Sequence, residues 1–501
     1  MGRVSTTLAE PQLPAEPPPG RASAAAAAAA SAVPDAAAAA AARSERAARA
    51  RAVAARLGAE GVDGVVLGWV DNSGLTRVKT VPVRRLEHAA AWGVGAAPCF
   101  DVFLVDDSMT TSRWIGGPAG DLRLIPDVDR LVRLAAQPGW AWAPADRYAQ
   151  DGSPHPGCQR LFARRMTEAA RQRGLTLRAG IEIEWVVALA GAPDDPPVYP
   201  THGPAYGMHR LTDLSEYLRD LLRALAEQGL TVLQLHPEYA PGQFEVSLAA
   251  DGPVGAADTT VLVRQTIRAV SGRHGLRVSF APAVEPGGVG NGGHLHLSLW
   301  RGGPDGGERN LFQGGPGPYG LTAEGESFLA GVLAELPALL ALGAPGVASY
   351  LRLRPQRWAG AYQCWGMENR EAALRLIPGP PDEGQGAANA EIKCFDAAAN
   401  PYLAVGAVIA AGLAGLDAGL ALPPEVPGDP AGAPDDSATG EVPRLPGSLL
   451  ETVAAFESST MLREALGDPL YEAVLAVRRG ECELFAGRTD QEVAAATRWR
   501  Y

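Results

Sequence analysis

The chain has 501 residues, 47% of them hydrophobic, with a formal net charge of -12 and a pI near 5.3. That supports a large core divided among domains, and it excludes the broad basic surface that nucleic acid requires. The five cysteines are scattered without a CxxC pair, which fits a reducing cytoplasm and no disulfide framework. We expect no membrane partner: the Ala tracts are weakly hydrophobic and broken by Ser, Pro and Asp, and no signal-peptide pattern opens the chain.

Residues 1–42 are mostly Ala, Pro and Ser. Such a segment buries too little surface to offset its ordering entropy, so residues 1–45 are predicted to be a disordered tail, with transient Ala helix over 35–57. The stretch "ERAARARAVAARLGAEG" then predicts a helix ending at Gly58 or Gly61. Residues 62–83 hold two β-rich runs around Asp71-Asn72-Ser73-Gly74, a hairpin signal. With the loop-rich segment 99–145 they predict a small β-rich domain over 46–150. From 151 to 501 the pattern predicts a larger α+β domain. Its helices are expected near 159–173, 211–228, 255–273, 322–342, 401–418 and 468–485. Its strands are expected near 176–189, 230–236, 243–248, 276–283, 293–300, 370–376 and 391–395. The Pro/Gly/Asp-rich stretch 421–445 reads as a surface loop.

The strand-like run "AGIEIEWVV" carries Glu182 and Glu184 two residues apart. Alternate side chains share a strand face, so two carboxylates should meet there. Like charges so close need a cation or a proton between them. Three further strand-like segments carry metal-type ligands: Glu238 and Glu245 in "HPEYAPGQFEV", His294 and His296 in "GVGNGGHLHLSLW", and Glu391 in "NAEIKCFD". Each alone is ordinary; the argument is that all occur in separate strands of one domain. An oxygen-rich set with imidazole favours Mg²⁺ or Mn²⁺ over structural Zn²⁺.

A second set is basic: Arg352, Arg354, Arg357, Arg370 and Arg375. Planar guanidinium groups suit phosphate and carboxylate. Arg370 and Arg375 are an odd number apart, so they share a site only if the strand bends or ends between them. Acids and arginines around one cavity describe phosphoryl transfer from a nucleotide to a carboxylate. No Walker-type phosphate loop and no GxSxG elbow are present, and "GGVGNGG" lacks the strand-then-helix setting of a dinucleotide fingerprint.

In this order, "GIEIEW", "PGQFEV", "GNGGHLHLSL", "ENREAALRLIP" and "FDAAANPYLAVGAVIAAGLAG" resemble motifs of the glutamine synthetase family, from about residue 60 to the C-terminus. The resemblance implies a β-grasp N-terminal domain and a catalytic domain built on a curved antiparallel sheet flanked by helices. It implies a homo-oligomeric ring, commonly a dodecamer, with each active site between a catalytic domain and its neighbour's N-terminal domain. It implies ATP and two or more Mg²⁺ or Mn²⁺ ions: Glu184, Glu238 and Glu245 at one metal, Glu182, His294 and Glu391 at the other. His296 and Ser298 match positions that contact ATP. Arg352 matches the arginine that holds the glutamate α-carboxylate, Gly290 a backbone contact to the amino acid, and Arg370 and Arg375 the arginines that meet the transferring phosphate.

The departures bear on substrate. Where ammonia-using members carry a glutamate, this chain has Trp358, preceded by Arg357. Their ammonium-binding aspartate finds only a partial match in Asp101, Lys393 replaces a second arginine, and Val289 replaces an asparagine. No tyrosine lies between Tyr402 and Tyr471, so the adenylylation site of some bacterial members is absent. Trp358 offers an apolar, cation–π surface in place of a negative pocket. The expected activity is therefore ligation of L-glutamate to an organic amine, such as ethanolamine, another monoamine or a polyamine, through γ-glutamyl phosphate. The alternatives are a glutamine synthetase using ammonia and a catalytically silent regulatory relative. Either Glu368 or Asp101 is available as a base for the amine.

Overall fold

The computed structural model describes residues 36–192, 195–302, 307–380, 386–432 and 442–501. Of the tail predicted over 1–45, residues 1–35 lie outside the described residues, as does the middle of the 421–445 loop; the disorder expected over 36–45 is not what the structure has there. Residues 36–45 begin a helix, Ala36–Ala59.

The first six strands form one sheet in the order β2-β1-β6-β4-β3, with β5 paired to β6. They are β1 (Gly64–Val70), β2 (Thr76–Pro82), β3 (Val94–Ala96), β4 (Leu122–Pro126), β5 (Val132–Arg133) and β6 (Trp140–Tyr148). The hairpin predicted at 71–74 joins β1 to β2. Asp71 closes it by accepting the Ser73 and Leu75 amides, each at 2.9 Å. Gly74 has φ +80°, and a Cβ there would lie 1.8 Å from the Ala398 carbonyl oxygen, so only glycine fits.

That contact sets the hairpin against the start of the helix Pro401–Ala418. The helix has Asn400 as its cap, accepting the Tyr402 and Leu403 amides, with Pro401 at its first position and Gly419 in the left-handed region past its end. Asn400 Nδ2 donates in turn to the carbonyls of Val70 and Asp71, each at 3.0 Å.

Two further sheets build the larger body. One has the order β11-β8-β10-β9; the other has β13-β12-β16-β15-β14, with β7 on β12. The strands are β7 (Leu175–Ile181), β8 (Ile183–Leu189), β9 (Val232–Pro237), β10 (Gln243–Leu248), β11 (Leu276–Ser279), β12 (Leu295–Gly302), β13 (Glu308–Asn310), β14 (Tyr362–Met367), β15 (Ala372–Ile377) and β16 (Asn389–Ile392). They curl into a half-barrel with helices packed outside. The run expected as one strand over 176–189 is two, one in each sheet. Glu182 is the joint, its amide donating to the His294 carbonyl at 3.0 Å. One pairing departs from the antiparallel expectation: β14 and β15 run parallel. The chain doubles back at Glu368, φ +52°, and β15 restarts beside the beginning of β14.

Two helices, Ala323–Gly343 and Pro401–Ala418, are long and apolar enough to cross a membrane, but 72% and 78% of their apolar windows are buried in the core. They approach closely where glycines face each other: a Cβ on Gly331 would lie 2.6 Å from the Gly415 Cα.

Candidate active site

The inner side of the half-barrel opens as a cleft of about 770 Å³. Among the described residues its lining runs from Glu182 to Lys393 in the sequence, and none of it comes from the N-terminal sheet.

One cluster gathers at the joint of the two sheets. His294 Nδ1 lies 3.2 Å from Glu182 Oε2 and 3.2 Å from Glu391 Oε1. His296 Nε2 lies 3.2 Å from Glu182 Oε1 and 4.0 Å from Glu391. The register of β12 against β16, His296 opposite Glu391, creates this meeting. Burial alone would raise the carboxyls here. For Glu182 the two imidazoles outweigh it, and for Glu391 so do Lys393 and the imidazoles; both stay below the ordinary carboxylate range. Burial would lower His296, but Glu182 outweighs it and pushes the imidazole up to about 9.

The second cluster lies on β9 and β10. His236 Nε2 is 3.4 Å from Glu245 Oε1, and its Nδ1 is 3.5 Å from Glu238 Oε1. Tyr206 donates to Glu238 Oε1 at 2.5 Å. Burial and the nearby charges of Glu184 and Glu245 push Glu238 up to about 7. Glu184 stands between the clusters. It accepts from Gln243 Nε2 at 3.1 Å and the Gly292 amide at 2.9 Å, and it lies 3.7 Å from His294 Nε2. Burial and Glu245 raise its carboxyl. Acids that crowd so closely that two shift upward are a donor set suited to a divalent cation.

Cations ring the acids. Lys393 Nζ donates to Glu391 Oε1 at 3.0 Å, and Arg375 Nη1 donates to Glu391 Oε2 at 2.9 Å. Arg375 also pairs with Glu368. Arg352 is buried and donates to His294 Nε2 at 3.0 Å, while its Nη1 has no partner. Gly290 presents backbone beside Arg352: a Cβ there would lie 2.9 Å from the arginine stem. Arg357 and Arg370 complete the cationic lining. Arg370 precedes β15, in the return from β14, so the odd spacing does not separate it from Arg375.

A hollow of about 390 Å³ adjoins the cleft, sharing Glu182, Gln234 and His296 with it. Ser298 lines this hollow, its Oγ accepting from Trp300 Nε1 at 2.8 Å.

Trp358 lines the cleft half exposed, at φ +52°, a region costing a bulky residue roughly 1–3 kcal/mol. Glu371 holds it there by accepting the Trp358 amide at 2.7 Å and the Gln356 amide at 3.3 Å. The rings of Trp358 and Tyr239 meet edge to face at 5.2 Å.

The cleft thus brings together Glu182, Glu184, Glu238, Glu245, Gly290, His294, His296, Arg352, Trp358, Arg370, Arg375 and Lys393, and Glu391 stands behind its rim. Asp101 is not among them. It is wholly buried in the N-terminal part, bound by Arg147 Nη1 at 2.7 and 2.8 Å, so within this chain it reaches neither an amine nor a base's position. His236 and Tyr206 escaped the sequence reading. His236 stands two residues before Glu238, the same alternation that drew attention to Glu182 and Glu184. Tyr206 lies in irregular chain at φ +56°, where no periodicity marks it.

Comparison with known proteins gives a consistent picture. The description of the glutamine synthetase catalytic domain matches residues 156–495. The gamma-glutamylpolyamine synthetase GlnA3 of Streptomyces coelicolor is 58% identical over 455 residues, covering 90% of this chain and 97% of its own. The gamma-glutamylanilide synthase of an Acinetobacter species is 27% identical over 486 residues, covering 90% and 94%. Among solved structures, a novel glutamine synthase homolog superposes with a TM-score of 0.77 at 34% identity, covering 88% of this chain and 99% of that one. A GmaS/ADP complex superposes with a TM-score of 0.76 at 28% identity, covering 87% and 96%.

Proposed function

The chain belongs to the glutamine synthetase family, and from that premise we propose that it ligates the γ-carboxylate of L-glutamate to an organic polyamine, with ATP as the phosphoryl donor. The observation that carries this is Trp358 in the cleft wall, at the position where the family resemblance implies a glutamate in ammonia-using members. The 58% identity to a gamma-glutamylpolyamine synthetase supports the same reading and favours a polyamine over ethanolamine. It disfavours ammonia, as does the burial of Asp101 against Arg147.

The donor sets fit two divalent cations. Glu182, His296 and Glu391 offer atoms within 4.8 Å of one another, as do His236, Glu238 and Glu245; His294 adjoins the first set and Glu184 stands between them. Mg²⁺ or Mn²⁺ bound there would supply charge neutralisation to phosphoryl oxygens. In this reading the adjoining hollow with His296 and Ser298 takes the nucleotide. Arg352, with a buried unpaired Nη1, orients the glutamate α-carboxylate beside the Gly290 backbone. Arg370, Arg375 and Lys393 face the phosphoryl group as it leaves ADP for the γ-carboxylate. The amine then attacks the acyl carbon of γ-glutamyl phosphate, and phosphate leaves.

We further propose that the cleft is completed by a neighbouring subunit in a homo-oligomeric ring. Supporting this, the chain's own N-terminal sheet contributes no residue to the cleft. Mass spectrometry of a reaction holding ATP, Mg²⁺, L-glutamate and spermidine tests the chemistry. The expected product is spermidine gained by glutamate with loss of one water. Formation of glutamine alone, when ammonium is also present, would overturn it.

A further inference from the structure

Beside the acidic clusters the cleft carries a continuous row of rings that starts at His236 of the second donor set. Tyr206 stacks on His236 with centroids 5.1 Å apart. Tyr206 meets Tyr239 edge to face at 5.6 Å and 82°, and Tyr239 meets Trp358 in the same manner at 5.2 Å and 87°. The row begins at the carboxylates, where the Tyr206 hydroxyl binds Glu238, and ends at the half-exposed Trp358. Tyr206, Tyr239 and Trp358 are all exposed large side chains, at 53%, 37% and 50%. Each edge-to-face contact covers only one face of one of its two rings.

Resting on the ligase reading above, we infer that Tyr206, Tyr239 and Trp358 form a track for the distal ammonium groups of a long polyamine, making this cleft selective for chains with several nitrogens. Charge alone does not favour a polycation here, because arginines and Lys393 share the cleft with its carboxylates. Ring faces attract ammonium by their quadrupole and are indifferent to those neighbours' role toward phosphate. The spacing suits the ligand. Nitrogens three or four methylenes apart are separated by roughly 5–6 Å in an extended chain, since each single bond advances about 1.2 Å. Ring centroids along the track lie 5.6 and 5.2 Å apart. A monoamine would occupy only the inner end. A polyamine would place its further charges over Tyr239 and Trp358.

The test compares kcat/KM for spermidine with kcat/KM for n-butylamine, in the full-length wild type and in Tyr239→Leu, Tyr239→Phe, Trp358→Leu and Trp358→Phe. The expected wild-type ratio is well above one. Each Leu variant lowers that ratio about fivefold, near the worth of one exposed cation–π contact, with the loss carried by KM for spermidine. Each Phe variant, which keeps a ring face, retains most of it. Thermal melting of the Leu variants close to wild type excludes misfolding as the cause. An unchanged ratio in both Leu variants, with spermidine still ligated, overturns the track and leaves the ligase reading standing. A wild type that ligates no amine overturns both.

Discussion

At the scale of single residues, the two carboxylates that first raise the question are reconciled by place. Glu182 is the joint between two sheets and Glu184 is the second residue of the next strand, yet both line one cleft with His294 between them. Replacing Glu184 by Gln keeps its size and removes one of the crowded charges. We expect phosphate release to be lost, the fold to persist in EDTA, and the rise in melting temperature on adding Mn²⁺ to shrink against wild type. Undiminished turnover would contradict its place in a cation site. Trp358→Glu restores a carboxylate at the cleft wall, and we expect the ratio of ammonium to spermidine turnover to rise about tenfold or more, read in parallel steady-state assays. Much of this site was legible because its acids and imidazoles sit in strands or within one residue of a strand end, where alternate positions share a face. The same parity marks His236 before Glu238. What was not legible depends on partners far along the chain: the Glu371 clamp on Trp358 and the Arg147 pair that buries Asp101.

Among elements, the helices and strands that local pattern predicts in the larger domain fall within a few residues of observed ones, while the helices Leu86–Trp92, Leu449–Ser458, Thr460–Leu466 and Asp490–Thr497 were not anticipated. The strand misreadings share a cause. The stretch 176–189 has unbroken strand character, so nothing local announces that it changes sheets at Glu182. Strand β14, between Tyr362 and Met367, was not expected, because its burial comes from the returning chain and from Trp365 Nε1 donating to the Pro423 carbonyl at 2.7 Å. The pairing of the two apolar helices rests on glycine. A Cβ on Gly331 would lie 2.4 Å from the Ala411 carbonyl oxygen. Gly331→Val should therefore destabilise by about 1–3 kcal/mol or more through overpacking. Gly272→Ala, near the end of the helix Pro253–Arg273 with nothing within 4 Å, should instead be neutral or stabilise by up to about 1 kcal/mol. Thermal melting of the two variants beside wild type checks the contrast.

For the whole molecule, an acidic chain with hardly any lysine concentrates its charge chemistry in one cleft. There Lys393 and four arginines, Arg352, Arg357, Arg370 and Arg375, face the carboxylates of Glu182, Glu184, Glu238 and Glu245. This arrangement handles two anionic substrates at once, a nucleotide and an amino acid, and leaves an aromatic wall for a third that is cationic. The measurement that bears on this most directly is phosphate release from ATP with Mg²⁺ and L-glutamate across ammonium, ethanolamine, n-butylamine, putrescine, spermidine and spermine. The account predicts release that depends on glutamate and on a polyamine, with little from ammonium. Release sustained by ammonium alone, with polyamines inert, would contradict it.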